Sequence, residues 1–383
     1  MDAAPLPLRL GYFTMPVHPP DRDYLQTLRE DREAILLADE LGYVEAFVGE
    51  HVTDISESVT DSAVFLASLA PVTRSITLGT GTINLPNGHP AAIATKVAML
   101  DHLLEGRFVF GVSPGGLPSD WEVFGNLELD RRAKFRECLD HILAIWAGEA
   151  PYDLEGAHWR ISTRRTMIPE IGQGLMIRPY QRPHPPIAVT VVEPSSASAA
   201  EAAQRGFDII SANFLLPRWV RTHWEVYAEA ALAAGRTPDP RRWRVAKTVL
   251  VADDERTARE YGLGPRSPYR HYYAQLGLKL VRAGRANLFK GDPSLPDATV
   301  TTDALVERLV IAGTVDRVVE ELLAFREEVG EFGTLLYCGI DWADPRIARR
   351  SLELMATEVM PRVNRALAGL APAPAARCGS PTA

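Results

Sequence analysis

The stretch Val44–Thr53, V-E-A-F-V-G-E-H-V-T, decides how this chain is read. A helix-like segment ends just before it at Gly42, and a short apolar run occupies Ala46 to Val48. That run stops abruptly at Gly49, Glu50 and His51. The pattern predicts a buried strand whose C-terminal tip brings an imidazole and a carboxylate up to water. Further apolar runs end the same way, with Gly, Ser, Asn or Asp at the tip before another helix begins. The sequence therefore predicts a ring of strand ends around one site.

Upstream, Leu8–Phe13 reads as a strand running into T-M-P-V-H-P-P, whose prolines forbid both helix and ladder pairing. From Asp23, an N-cap, Leu25, Leu28, Ile35, Ala38 and Leu41 recur at helical spacing. Downstream, a helix is predicted over Val59–Pro71, a strand over S-I-T-L-G-T-G-T-I-N-L-P, and a helix from His89-Pro90 toward Leu104. A strand over Arg107–Val112 then runs into S-P-G-G. The next helix carries Phe135, Leu139, Ile142, Leu143 and Trp146 on one face, the mark of a layer packed on a sheet.

Residues 151–185 break the rhythm, and H-W-R-I followed by L-M-I-R suggests a small hairpin. Strands return at Ile187–Val192, Phe207–Ser211 and Arg244–Val251, with helices between them. A second irregular stretch, 262–302, holds Y-R-H-Y-Y in a short helix; its length and aromatic content suit a lid. Helices over Thr302–Ile311 and Val315–Val329, a last strand at Thr334–Cys338 and a final helix complete the order. About eight strand–helix units with two insertions predict an α/β fold, a (β/α)8 TIM barrel with inserted segments at its C-terminal face. Residues 1–370 are read as one domain, and the Ala/Pro-rich tail 371–383 is expected to fray.

A formal net charge of −8 argues against nucleic acid or an anionic membrane as partner, and 46% hydrophobic content suits a large core and a small, fairly apolar substrate. Cys138, Cys338 and Cys378 have no pairing or metal-ligand spacing. With no signal-peptide pattern and no membrane-length apolar run, a soluble, cytoplasmic protein is expected.

In a barrel the reactive groups gather at the C-terminal strand ends. Those ends carry Met15 and His18, Glu50 and His51, Thr82 and Asn84, Ser113 and Gly115, Pro194 and Ser195, Ser211 and Asn213, Asp253, and Asp341. G-T-G-T-I-N, from Gly79 to Asn84, lacks the third glycine of a dinucleotide fingerprint. Its glycines either admit a flat ligand or ease barrel packing. Ser195, Ser196 and Ser198 at a helix start can hold a phosphate or simply cap the helix, and Arg131 and Arg132 can add charge. His51 with Glu50 or Asp54 lacks a recognisable metal-ligand pattern, so no metal is expected. His51 remains open between a proton-handling and a structural role.

Taken together, G-Y-F-T-M-P-V-H-P-P, L-A-D-E-L-G-Y followed by V-G-E-H, L-G-T-G-T-I-N-L-P-N-G-H-P, G-R-F-V-F-G-V-S-P-G-G-L, D-W-A-D-P and R-S-L-E-L-M-A resemble the luciferase-like flavin-dependent monooxygenases, in their limonene monooxygenase-like branch. The resemblance runs from about Leu8 to Val363. It implies a barrel that takes reduced FMN from a separate flavin reductase, binds O2 at flavin C4a as a (hydro)peroxide, and passes one oxygen atom to an organic substrate. By that resemblance His51 is the catalytic residue at the flavin's reactive edge, and Gly81-Thr82 is the place of a non-proline cis peptide under the ring. Asn84, Ser113 and Gly115 belong to the cofactor site, and Ser195, Ser198 and Arg132 hold the phosphate.

Met15, Tyr269, Tyr272 and Tyr273 are expected to cover the substrate as a lid, with an imidazole of near-neutral pKa beside it. Where bacterial luciferase has a reactive cysteine followed by a phosphate-contacting arginine, this chain has Ser113 and Pro114. Light emission is therefore not implied. A homodimer or higher homo-oligomer is expected. The alternatives are a deazaflavin (F420)-dependent hydride-transfer enzyme on the same barrel and a catalytically silent flavin-binding subunit.

Overall fold

A computed structural model describes residues 5–15 and 17–369; the 371–383 tail and Cys378 lie outside the described residues. Its main sheet has ten strands. Eight of them form a ring of parallel pairs: β1 (Arg9–Thr14), β2 (Glu45–Val48), β3 (Thr77–Thr80), β4 (Phe108–Ser113), β5 (Ile187–Val191), β6 (Asp208–Ser211), β7 (Trp243–Val251) and β8 (Thr334–Gly339). Pairing of β7 with both β6 and β8, and of β8 with β1, closes the cylinder. The two remaining strands lie off the ring: Ile83–Asn84 extends beside β4, and Val310–Gly313 pairs with β7. The parallel (β/α)8 barrel is thus as the sequence predicts.

Strand alternation sorts side chains to two sides of the wall. Phe13, Phe47, Val109, Ala188, Ile210, Ala246, Leu336 and Cys338 form a small cluster of their own, the barrel interior, with Met15 packed against it. The intervening residues, among them Tyr12, Ala46, Phe110, Val189, Val245 and Leu335, belong to the much larger core between strands and helices. Glycine makes the narrow interior possible. A Cβ on Gly79 would meet the Phe47 ring at 2.3 Å, and one on Gly111 would lie 1.7 Å from the Thr80 carbonyl oxygen. At that junction the Thr80 hydroxyl donates to the Gly111 carbonyl (2.7 Å) and accepts from the Gly111 N–H (2.9 Å), so a side chain joins the β3–β4 seam.

The N-terminal end of the barrel is plugged by charge. Arg244, second residue of β7, donates to Glu45 (2.8 Å) at the start of β2 and to Asp208 (2.8 Å) at the start of β6. Its guanidinium lies 5.4 Å from the centre of the Phe47 ring. All three ionic groups are buried. Such a triad survives burial because opposite charges and good hydrogen bonds offset the cost of dehydration.

Four local expectations change. The helix predicted over Val59–Pro71 is confined to Ser62–Ala67, where Asp61 caps it. The hairpin pairs Asp153–Glu155 with Arg160–Ser162 and does not include L-M-I-R. The Glu137 carboxylate accepts the N–H groups of Ala157, His158 and Trp159, which holds H-W at the turn end of the hairpin. The helix predicted over Thr302–Ile311 stops at Leu309, where β-branched Val310 and Ile311 pass into the extra strand. Within 262–302 the short helix becomes a long one, Pro268–Arg282, capped by Ser267. That segment follows β7 and lies on the C-terminal mouth, whereas 151–185 follows the foot of the Arg131–Ala147 helix and its hairpin climbs the helix's outer side.

Candidate active site

The loop after β2 turns at Gly49, where a Cβ would sit 2.3 Å from the Met15 sulfur, so any larger residue there would push the Met15 side chain aside. Glu50 then turns away from the mouth. Its carboxylate accepts from the Ser62 amide (2.9 Å) and hydroxyl (2.7 Å) and from the Asn84 amide (3.2 Å). Asn84 in turn accepts from the Ser113 hydroxyl (2.8 Å), which also accepts from the Gly115 N–H (3.1 Å). Glu50, Asn84, Ser113 and Gly115 thus form one hydrogen-bonded arc across the ends of β2, β3 and β4. The Gly81–Thr82 peptide beneath it is cis, and Gly115 takes φ +85°.

His51 follows Glu50 and is held from two sides. Its Nδ1 lies 2.8 Å from Asp120, on the short helix Pro118–Val123. A carboxylate can only accept, so Nδ1 carries the proton and Nε2 is the nitrogen left for exchange. Asp120 is itself fixed by the amides of Val52 and Thr53 and by the Thr53 hydroxyl. Nε2 faces Glu57 at 3.4 Å. Burial opposes the imidazolium, but the Glu57 charge and the Asp120 bond outweigh it, and the His51 pKa is raised.

At the opposite side of the mouth Asn213 donates to Thr248 (2.9 Å) and accepts from Tyr272 (3.1 Å), while Tyr273 lies 2.8 Å from the Thr248 hydroxyl. Tyr272 and Tyr273 are buried and face the barrel end. Tyr269 does not: its hydroxyl donates to the Val249 carbonyl (3.3 Å), and it packs into the outer core beside Tyr261. Ser211 likewise points outward, bonded to His223 and to the Trp243 indole. Asp253 pairs with Arg350 in an exposed position and takes no part in the mouth.

The phosphate candidates are only partly brought together. Arg132 and Ser198 line one shallow surface cleft between the Arg131–Ala147 and Ala197–Arg205 helices, with Pro114, Arg136, Arg205 and the Glu201 carboxylate also on its wall. Ser195 is outside this lining. It is exposed at φ +47°, and its N–H donates to Thr222. Arg132 pairs with Glu193 at 3.2 Å, a carboxylate shared with Arg285 at 3.7 Å.

His18 lies in a separate buried cluster that ties the loop after β1 to the loop after β8. Its Nδ1 is 2.5 Å from Asp341 and its Nε2 3.1 Å from Asp31. Burial opposes its charge, but the two carboxylates prevail and raise its pKa to about 9. His18, Glu30 and Asp341 could also group around a cation, but Arg22 already pairs with both acids, at 2.5 and 3.2 Å.

Several groups escaped the sequence reading. Asp120 reaches His51 from 69 positions away, and Glu57, in His51's own loop, is held in turn by Lys279 from 222 positions away, with no spacing signal to connect them. Thr190, two residues after inward-facing Ala188 on β5, carries a buried hydroxyl without any partner.

A closed parallel barrel with a carboxylate-anchored imidazole and hydrogen-bonding side chains at its C-terminal mouth defines an α/β-barrel enzyme. The model of the luciferase-like monooxygenases matches residues 8–331, and the chain belongs to that family. It is 32% identical over 371 residues to the 4-hydroxyprotoasukamycin monooxygenase of Streptomyces nodosus subsp. asukaensis, covering 95% of this chain and 94% of that one. It is 28% identical to the limonene 1,2-monooxygenase of Rhodococcus erythropolis, over 92% of this chain and 86% of the other. Among solved structures, the oxygenating constituent of 3,6-diketocamphane monooxygenase from Pseudomonas putida, a type II Baeyer-Villiger monooxygenase in complex with FMN, superposes with a TM-score of 0.84. That pair is 29% identical and covers 94% of this chain and 99% of that one. Among the described residues no helix is long and apolar enough to cross a membrane.

Proposed function

We propose that this protein is the oxygenating component of a two-component system, taking reduced FMN from a separate flavin reductase and inserting one atom of O2 into a small, fairly apolar organic molecule. The observation that carries the reading is the mouth itself. There an imidazole fixed at Nδ1 lies on the same barrel face as the Thr190 hydroxyl, which is buried without a partner. A buried hydroxyl left unpaired costs free energy unless a bound group satisfies it.

The donor set suits a flavin mononucleotide. Thr190 and Thr82, with Asn84, Ser113 and Gly115 of the arc, offer hydroxyl, amide and backbone groups to a polar ring edge. Arg132 and Ser198 share a cleft at two helix starts, where a phosphate is favoured. Ser195 would have to turn from Thr222 to join them. Reduced FMN, when bound, supplies the electrons that activate O2. His51 supplies a proton at Nε2, Asp120 keeps its ring oriented, and Met15, Tyr272 and Tyr273 exclude water from the mouth.

The relatives' monooxygenase activities support the reaction class, and an FMN complex in a structural relative supports the cofactor. We extend the proposal to self-association, since Ile55 and Val64, beside the mouth loop, are 80% and 65% exposed. The test supplies chemically reduced FMN, and reduced F420 in parallel, with 18O2 and a panel of cyclic terpenes and cyclic ketones. One 18O in the product with FMN alone is expected. Turnover with F420 alone, or product without label, would refute the assignment.

A further inference from the structure

Lys279 lies on the Pro268–Arg282 helix at the third site in a stripe of Tyr272, Gln275 and Lys279, spaced i, i+3, i+7 on one face. All three reach down. Tyr272 bonds Asn213 at the mouth, Gln275 lies 3.5 Å from Ser56, and Lys279 grips both Asp54 and Glu57, the latter at 2.5 Å. Glu57 is divided between two partners. One carboxylate oxygen takes the Lys279 ammonium; the other is buried with no hydrogen bond and faces Nε2 of His51. The charged groups around the imidazole are therefore Glu57 and Asp54 from its own loop, Asp120 from the Pro118–Val123 helix, and Lys279 from the covering helix.

We infer that Lys279 is a positioning residue: by neutralising Glu57 and Asp54 while the covering helix is seated, it sets how tightly His51 holds the proton at Nε2. With Lys279 in place, Glu57 is held away from a full hydrogen bond to the imidazole, and His51 can release its proton to a reactant. With the ammonium withdrawn, Glu57 is free to close on Nε2 and trap an imidazolium. The helix that shuts water out of the mouth thereby also readies the proton donor, so cover and acid act together. The Lys279 charge in fact opposes protonation of His51, in the sense this arrangement requires.

The inference rests on the role given to His51 above, so its test is made to stand without flavin. The imidazole titration of His51 is followed by NMR in ligand-free, histidine-labelled protein, with the signal assigned by loss in His51→Asn. In Lys279→Met the midpoint should move up, in Lys279→Arg it should stay, and in Glu57→Gln it should move down. Adding Lys279→Met to Glu57→Gln should then move it much less than in the native background. An unmoved midpoint in Lys279→Met whose melting curve is unchanged overturns the inference, as does an equal shift in the Glu57→Gln background. Should Lys279→Met fold poorly, the Arg variant and Glu57→Gln still decide: a midpoint that does not fall in Glu57→Gln also overturns it. None of these outcomes depends on whether FMN is the cofactor, so failure here and failure of the monooxygenase assignment are separable.

Discussion

Replacing Arg244 by Met should cut stability sharply and leave the chemistry nearly untouched. The methionine keeps much of the apolar stem against Phe47 but removes the cation between Glu45 and Asp208. Asp208 still has Arg242, whose Nε lies 2.7 Å away, whereas Glu45 is left 4% exposed with no cation. One buried carboxylate is stranded rather than two, so the cost falls at the lower end of the range for breaking a buried pair, about 3 kcal/mol.

Urea unfolding followed by tryptophan fluorescence measures this directly, because Trp243 is buried on the same strand and stacks on Trp224 at 5.5 Å. The double variant Glu45→Leu, Arg244→Met should recover most of the loss, since it leaves no unpaired charge. Turnover at 20 °C should be unchanged, because the plug lies at the end of the barrel opposite the mouth. A single-variant loss below about 1 kcal/mol, or a double variant no better than the single, would refute the account of the plug.

Three further outcomes are expected. The folded-state pKa of His18, about 9, lies above its ordinary 6.5. Its stabilisation is therefore complete below pH 6.5 and lost as pH rises to about 9, and melting curves of His18→Gln should lack that slope. The difference should be roughly 2 kcal/mol, reduced from the full linkage because burial also pushes the neighbouring Asp31 carboxyl upward. Gly111→Ala places a Cβ against the Thr80 carbonyl and should lower stability by roughly 3 kcal/mol or more; an unchanged melting temperature would mean the β3–β4 seam can part freely. Asp120→Asn leaves one acceptor oxygen, which the Val52 and Thr53 donors claim, so an NH2 group is turned toward His51 Nδ1 and the charge is lost. It should lower product formation roughly 10- to 100-fold and raise the share of reduced flavin lost to hydrogen peroxide, with an unchanged product-to-peroxide ratio counting against the role of His51.

The periodicity of short buried strands and amphipathic helices was enough to predict the barrel, since both patterns are local and repeat along the chain. The polar strand tips are legible in the same way, which is why Glu50, His51, Asn84, Ser113 and Asn213 can be placed at the mouth from the sequence. What the chain could not show by itself were the partners. Asp120 lies 69 positions from His51 and Lys279 lies 222 from Glu57, and no sequence spacing encodes such pairs. Side-chain direction was equally hidden. Tyr269 and Tyr272 are neighbours on one helix, yet one faces the outer core and the other the mouth. Closure of the ring decides both matters, because it is only when β8 meets β1 and β7 meets β6 that inside and outside are defined and distant loops share one rim.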